Sequence, residues 1–173
     1  MKGKKEGKWS YWFDNGQLES EGEFKNNLKD GSFVSYYRNG NKQKEGKYKA
    51  DKQDGNWTEG YFSGKKKCEI TYKEGDDFIM NYWSEDGKQL IKDGNGTFTF
   101  IHDNGKKQGE GKYVGGKQNG EWNFWKTNGD PDFMITYKDG KKNGKCKYFN
   151  ANGTVNREGF YVGDSKEGYW TYY

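Results

Sequence analysis

Groups able to do chemistry are few in this sequence and poorly spaced for it. His102 is the only histidine, and Cys68 and Cys146 are the only cysteines. A structural zinc site takes four nitrogen or sulfur ligands, which one histidine and two distant cysteines cannot supply. A catalytic histidine needs a nucleophile within reach, and no Ser or Cys recurs around His102, so a strand-surface role is expected for it. Gly111 to Lys117 fits the phosphate-loop pattern Gly-x-x-x-x-Gly-Lys, but Gln118 stands where a Ser or Thr would hold Mg²⁺. Asp76-Asp77 and Asp130-Pro131-Asp132 are acidic clusters with fewer oxygen ligands than a calcium loop requires, and read as solvated turns. The glycosylation sequons at Asn56, Asn95 and Asn152 arise where Asn and Gly crowd together in turns. No catalytic residue, cofactor or metal is expected, and the chain is expected not to be an enzyme.

The composition says what must position any site. The chain has 173 residues with only 3 Leu, 5 Ile, 4 Val and 11 Phe, which excludes an ordinary aliphatic core. Yet aromatics make up 18% of it and glycines number 27, while 30 basic residues nearly balance 26 acidic ones. Disordered chains are poor in aromatics and carry strong net charge, so a solvated tail is excluded too. The net charge of +4 is mild and the lysines are spread along the chain, so no nucleic-acid partner is expected. No run of 18 apolar residues offers a transmembrane helix, and no apolar stretch follows the basic residues after Met1 as a signal peptide would require. A cytoplasmic chain is expected, or a cell-envelope or secreted one if a leader has been removed.

A period organises the sequence. Gly7, Gly31 and Gly55 are spaced by 24, as are Gly96, Gly120, Gly144 and Gly168. Two positions after each comes an apolar residue, usually a ring: Trp9, Phe33, Trp57, Phe98, Trp122, Cys146, Trp170. Units fall near 7–30, 31–54, 55–76, a shortened 77–95, 96–119, 120–143, 144–167 and a partial 168–173, together one repeat array over 1–173. The shortened copy is either a deletion in a turn or a joint between two halves. Asn-Gly or Asp-Gly pairs at 15–16, 39–40, 86–87, 104–105, 128–129 and 152–153 predict two-residue type I′ hairpin turns. A second turn is predicted at Asp30-Gly31, Asp54-Gly55, Asn119-Gly120, Asn143-Gly144 and Glu167-Gly168. The expected fold is all-β, an elongated single antiparallel meander of about 14–15 strands built from 24-residue hairpins.

This register sorts the side chains. With a two-residue loop, Phe13 faces Leu18, Tyr11 faces Ser20 and Trp9 faces Gly22. Trp9, Tyr11, Phe13, Leu18 and Phe24 then share one face, and Trp12, Glu19, Glu21 and Glu23 the other. Large rings opposite glycine (Trp9/Gly22, Phe33/Gly46, Phe98/Gly111) are expected to cover it, since a bare glycine weakens a strand. Trp9, Phe33, Trp57, Phe98, Trp122 and Trp170 are thus the structural repeat rings. A second row, Trp12, Tyr36, Ile101, Trp125, Phe149 and Tyr173, lies on the opposite face. A single-layer sheet cannot bury both faces, so Trp12, Tyr36, Trp125, Phe149 and Tyr173 are the candidate interaction surface. Three repeats separate Cys68 from Cys146, on the order of 30 Å, whereas a disulfide needs Cα atoms within about 7 Å. Both are expected to be unpaired.

The segments Glu21–Gly31, Glu45–Gly55 and Glu110–Gly120 resemble the MORN repeat, and Gly-x-Trp-x-aromatic-aromatic-x-x-Asn-Gly resembles its bacterial variant, found in proteins labelled YwqK-type antitoxins. The resemblance runs from Gly7 to Tyr173 and implies antiparallel sheets that act as scaffolds or interaction platforms. Such repeats also occur fused to phosphatidylinositol phosphate kinases, but the kinase motifs are missing from this sequence. The leading expectation is a non-enzymatic binding or scaffold protein with a protein partner, antitoxin- or immunity-like in its most specific form. A first alternative binds glycan or phospholipid headgroups through aromatics and Lys65, Lys66 and Lys67. A second, a hydrolase, needs a non-repeated polar cluster, expected within 73–96. Unpaired edge strands would allow homo-oligomers.

Overall fold

The computed structural model describes residues 3–173; Met1 and Lys2, where the leader reading begins, lie outside the described residues. Fifteen strands follow one another as an antiparallel meander, paired with their chain neighbours within each of two compact units. They divide into two compact units at Lys92/Asp93. The first holds β1 (Gly7–Trp12), β2 (Leu18–Lys25), β3 (Leu28–Tyr36), β4 (Lys42–Lys49), β5 (Lys52–Gly60), β6 (Lys66–Lys73), β7 (Asp76–Trp83) and the four-residue β8 (Gln89–Lys92). The second holds β9 (Asn95–Ile101), β10 (Lys107–Val114), β11 (Lys117–Trp125), β12 (Pro131–Lys138), β13 (Lys141–Phe149), β14 (Val155–Val162) and β15 (Ser165–Tyr172). The all-β hairpin meander is as expected.

The turns are not those the glycines suggest. At Asn15-Gly16, Phe13 N donates to Gln17 O at 2.8 Å and Gly16 N to Phe13 O at 3.0 Å. Only Gly16 of the loop has positive φ (80°). This is a three-residue loop, a type I turn closed by a left-handed glycine, and it repeats at Tyr37, Tyr61, Ser84, His102, Lys126 and Asn150. Phe13 therefore faces Gln17, and Leu18 pairs with Trp12, sharing its face; Glu19 is the extra residue before Tyr11↔Ser20. The two-residue turns lie at the other end of each hairpin, where both central residues have positive φ: Asn26-Asn27, Ala50-Asp51, Glu74-Gly75, Gly115-Gly116, Asp139-Gly140 and Gly163-Asp164. Asp30-Gly31 and its four equivalents are not turns but strand interior, where the positive-φ glycine accommodates a bulge.

Polar ladders explain the turn residues. Asn39 Oδ1 accepts from Asn41 N at 3.1 Å while Asn39 Nδ2 donates to Phe62 O, in the next hairpin's loop, at 2.7 Å. Asn104 repeats this with Lys106 N and Thr127 O. Opposite, Asp51 N donates to Lys29 O and Asp51 Oδ1 accepts from Lys29 N, at 2.8 and 2.7 Å. These bonds hold Ala50 and Asp51 in a conformation that costs L-residues roughly 1–2 kcal/mol each.

The core is a single layer of rings on one face. Trp57 is 1% exposed and meets Tyr48 edge-on at 4.9 Å, with Phe33 and Tyr72 farther out at 6.2 and 6.3 Å. In the other unit Trp122 is fully buried among Phe100, Tyr113, Phe124 and Tyr137. Trp9↔Gly22, Phe33↔Gly46 and Phe98↔Gly111 are cross-strand partners as expected. The ring that covers each glycine, however, comes from the following strand. Phe33 covers Gly22, Trp57 covers Gly46, Trp122 covers Gly111 and Trp170 covers Gly159. The reason is the bulge glycine two positions before each indole: Gly55, Gly120 and Gly168 have φ of 66°, 75° and 66°. They break the ladder there, and the indole falls across the preceding strand. Trp57 Nε1 and Trp122 Nε1 then donate to Lys47 O and Lys112 O at 3.1 and 3.2 Å.

A methyl group on Gly46 would sit 2.3 Å from Trp57 Cδ2. Gly46→Ala is expected to lower stability by about 2–3 kcal/mol through overpacking, read from urea unfolding. Asn39→Asp keeps the acceptor for Asn41 N but loses the donor to Phe62 O, and is expected to cost about 1 kcal/mol. A loss equal to that of Asn39→Ala would show instead that the Oδ1 bond carries nothing.

Candidate functional site

The side chains sort onto two faces. Opposite the rings, cross-strand pairs join a hydroxyl to a carboxylate: Ser10 Oγ donates to Glu21 and Thr99 Oγ1 to Glu110, both at 3.3 Å. Lysines flank these carboxylates, in the pairs Lys8–Glu21, Lys42–Glu45, Lys66–Glu69, Lys107–Glu110 and Lys145–Glu158. Hydrogen bonds from the lysines hold the carboxyls of Glu21, Glu69, Glu110 and Glu158 below their ordinary range. Exposed pairs of this kind contribute little to stability, so the face is charged without being locked.

Trp12, Tyr36, Trp125 and Phe149 occupy the strand ends before three-residue loops, and Tyr173 follows β15. Trp12 is 61% exposed and Tyr173 70%, with Ile101 at 52%; Tyr36, Trp125 and Phe149 are half-buried. Part of the cover comes from lysine stems, for Lys107 Nζ lies 5.9 Å from the Trp125 ring centre. Trp83 belongs to the same row, with Lys66 Nζ 5.3 Å above it. Counting forward from the repeat glycines misses it because the shortened copy has none. Counting back four positions from the loop glycine finds it, as Gly87 follows Trp83 where Gly16 follows Trp12.

Of the structural rings, Trp57, Phe98 and Trp122 are buried, Phe33 and Trp170 half-buried, and Trp9 is 40% exposed. The Trp170 indole N–H is buried without an acceptor among the described residues. His102 Nε2 lies 2.9 Å from Trp125 O, the place Tyr37 and Tyr61 fill with hydroxyls donating to Gly60 O and Trp83 O. It is a loop brace. Gly111 lies beneath Trp122, and Gly116 N donates to Gly94 O, so the phosphate-loop pattern is strand and turn. Among the described residues no three metal-ligating groups come together. Lys65, Lys66 and Lys67 are engaged by Glu85 O, Glu69 and Glu59.

A non-repeated polar cluster does exist, but not within 73–96 alone. On the ring face, cross-strand pairing strings together Tyr11, Ser20, Ser35, Lys44, Glu59, Cys68 and Tyr82. The matching row of the second unit reads Phe100, Gly109, Phe124, Phe133, Tyr148, Arg157 and Tyr172. Cys68 is 3% exposed, with Sγ 3.6 Å from Glu59 Oε2. Burial first, then the Glu59 charge, pushes its thiol up to about 12. Cys146 is buried too and its thiol is raised for the same first reason; it donates to Gly159 O at 3.4 Å. Both are free, and neither has the thiolate character a nucleophile requires.

A family model for the MORN repeat variant matches residues 5–26, 29–50 and 142–162. No curated protein matches the chain. Among solved structures, the crystal structure of TarM is similar at 13% identity and a TM-score of 0.33, over 67% of this chain and 20% of that one. The chain thus spans about a fifth of TarM's length, and a likeness at this level carries no argument.

Burial also raises the Tyr148 phenol to about 12. Cys68 and Tyr148 hold their protons more tightly folded than unfolded. The stability they contribute is therefore complete below their ordinary values of 9.0 and 10.0 and is lost as pH rises toward about 12. The urea midpoint is expected to be flat up to pH 9 and to fall above it, less steeply in Cys68→Ser. An identical slope in that variant would show that Cys68 titrates normally.

Proposed function

The chain is a MORN-repeat protein, and from that premise we propose that it is a binding and scaffold module, without catalysis, whose rim of aromatic side chains engages a protein partner. Repeats of this kind serve as binding and scaffold modules, and all-β repeat folds are generally non-catalytic. The observation that carries the reading is the exposure of Trp12, the most exposed tryptophan, on a strand that also presents Trp9 at 40% and Tyr11 at 37%. Exposed Trp and Tyr are the residues that dominate protein interfaces. Around the rim, lysine–glutamate pairs supply charges that rearrange cheaply on docking. Support for a non-enzymatic role comes from the groups that could have acted: His102 braces a loop and Cys68 holds its proton. In the antitoxin- or immunity-like version of the proposal, the partner is a toxic enzyme inhibited by the contact.

Affinity capture with the full chain, compared with Trp12→Ala and Tyr36→Ala, tests this. One defined protein is expected to be recovered by the wild type and to bind the Trp12→Ala variant at least about tenfold more weakly, a hot-spot loss. Equal recovery by the wild type and Trp12→Ala would remove Trp12 from the interface. Recovery of no protein, with binding instead on a glycan or phospholipid array, would overturn the proposal in favour of the envelope reading.

A further inference from the structure

The polar row on the ring face encloses a space the second unit does not leave open. A cavity of about 500 Å³ lies over β2 to β4, lined among others by Ser20, Phe33, Ser35, Gln43, Lys44 and Phe62. That is within the size range of small-molecule sites. In the second unit the positions matching Ser20, Ser35 and Lys44 are Gly109, Phe124 and Phe133. There Phe124 and Phe133 stack at 4.4 Å, and Phe124 lies across Gly109, where an added methyl would be 2.8 Å from its Cδ1. The chain's own repeat therefore shows what such a space accepts, which is a phenyl ring packed flat on its neighbours. The larger furrow past Glu21, Val34 and Glu45 has a relative in the second unit past Glu110 and Glu121, so it comes with the repeat and distinguishes nothing.

The walls add a polar requirement. Lys44 Nζ lies 5.9 Å from the centres of both Phe33 and Trp57 and has no carboxylate partner among the described residues. Its cross-strand neighbour Glu59 is engaged by Lys67 and Cys68. Arg38, also at the cavity, is held by Asp14 and lies over Phe13. Ser35, 6% exposed, donates to Gln43 Oε1 at 3.2 Å, so the Gln43 amide N–H groups take no part in that bond and keep their capacity to donate. Glu19, the acidic group of the lining, is exposed to water. An unneutralised ammonium, amide and hydroxyl donors and a ring-sized apolar floor thus converge in one place.

We propose that this cavity binds an aromatic carboxylate. Its ring takes the place that Phe124 and Phe133 occupy in the second unit, and its carboxylate pairs with Lys44. Free aryl acids carry this chemistry, and so does the C-terminus of a peptide ending in an aromatic residue. The site lies on the ring face; of the rim residues described above, Tyr36 also lines it, and Trp12 does not.

The test is an NMR titration of the isotope-labelled full chain with four probes: 3-phenylpropionate, its uncharged amide, and Gly-Gly-Phe with a free or an amidated C-terminus. Saturable shifts are expected at Ser20, Ser35 and Lys44 with the two acids. Lys44→Gln is expected to weaken the acids about tenfold and to leave the amides unchanged. Ser35→Phe, which installs the ring of the second unit, is expected to abolish binding of all probes. Should Ser35→Phe fail to fold, the acid-against-amide contrast in Lys44→Gln decides alone. Tighter binding of the free-acid tripeptide than of 3-phenylpropionate points to a peptide C-terminus, and the reverse order to a small acid. Shifts centred on Trp12, non-saturating shifts at Ser20 and Ser35, or undiminished acid binding by Lys44→Gln would overturn the proposal.

Discussion

A sheet that carries rings on one face, with no second layer packed on it, must find burial within its own surface. Here the solution is an indole laid over a glycine. Trp57 reaches 1% exposure because Gly46 has no side chain, so ring carbons approach to a distance that any Cβ would forbid. The indole N–H would be costly to bury unpaired, and it finds Lys47 O one residue beyond the glycine. Trp122, Gly111 and Lys112 O repeat the arrangement. Other features follow from it. The bulge glycine before each indole tilts the strand so that the ring falls the right way, and Tyr48 and Tyr113 close edge-on against the indoles. Trp9 shows the arrangement by its absence, for among the described residues no strand precedes β1 for it to cover, and it stays 40% exposed.

The sequence makes the period, the hairpins and the cross-strand partners of the first rings readable, because glycine and aromatics recur at fixed spacing. It hides which turn belongs to which glycine. The same residue closes three-residue loops at Gly16, relieves strand bulges at Gly55 and completes two-residue turns at Gly75, since all three need positive φ. Ala50-Asp51 carries no glycine at all. That turn is fixed by the two bonds between Asp51 and Lys29, a contact 22 residues away that no local pattern announces. The longer loop also moved Leu18 to the Trp12 face, a one-residue shift that the extra residue Glu19 cancels, so that Tyr11 still pairs with Ser20 and Trp9 with Gly22.

The rim row was legible except for Trp83, because its members stand five positions after a repeat glycine and the shortened copy has none. The polar row was not. Its members from Ser20 to Cys68 are of four different residue types, and their alignment depends on the bulges at positions such as Glu19. The strand-surface role expected for His102 gave way to that of a loop brace, because only the neighbouring hairpin reveals that a ring nitrogen reaches Trp125 O where tyrosines reach theirs.

In an array of this kind the repeated positions hold the fold and the unrepeated ones are free to differ, so function is sought where a repeat departs from itself. The departure at Ser20, Ser35 and Lys44 forgoes ring stacking that Phe124 and Phe133 enjoy, at roughly 0.5–1.5 kcal/mol per aromatic pair. Part of that is offset by lysines over rings, since Lys29 Nζ lies 4.5 Å from the centre of Phe33 and Lys44 Nζ adds a second, longer contact. Such contacts contribute about 0.5–1 kcal/mol where solvent reaches them, so the exchange leaves the first unit nearly as stable. What changes is the chemistry of the surface: a dry aromatic row becomes a cavity with a cation at its wall. A fold held by rings over glycines elsewhere tolerates that exchange, because Gly46 beneath the Trp57 ring and Lys47 O at its indole N–H are untouched by it.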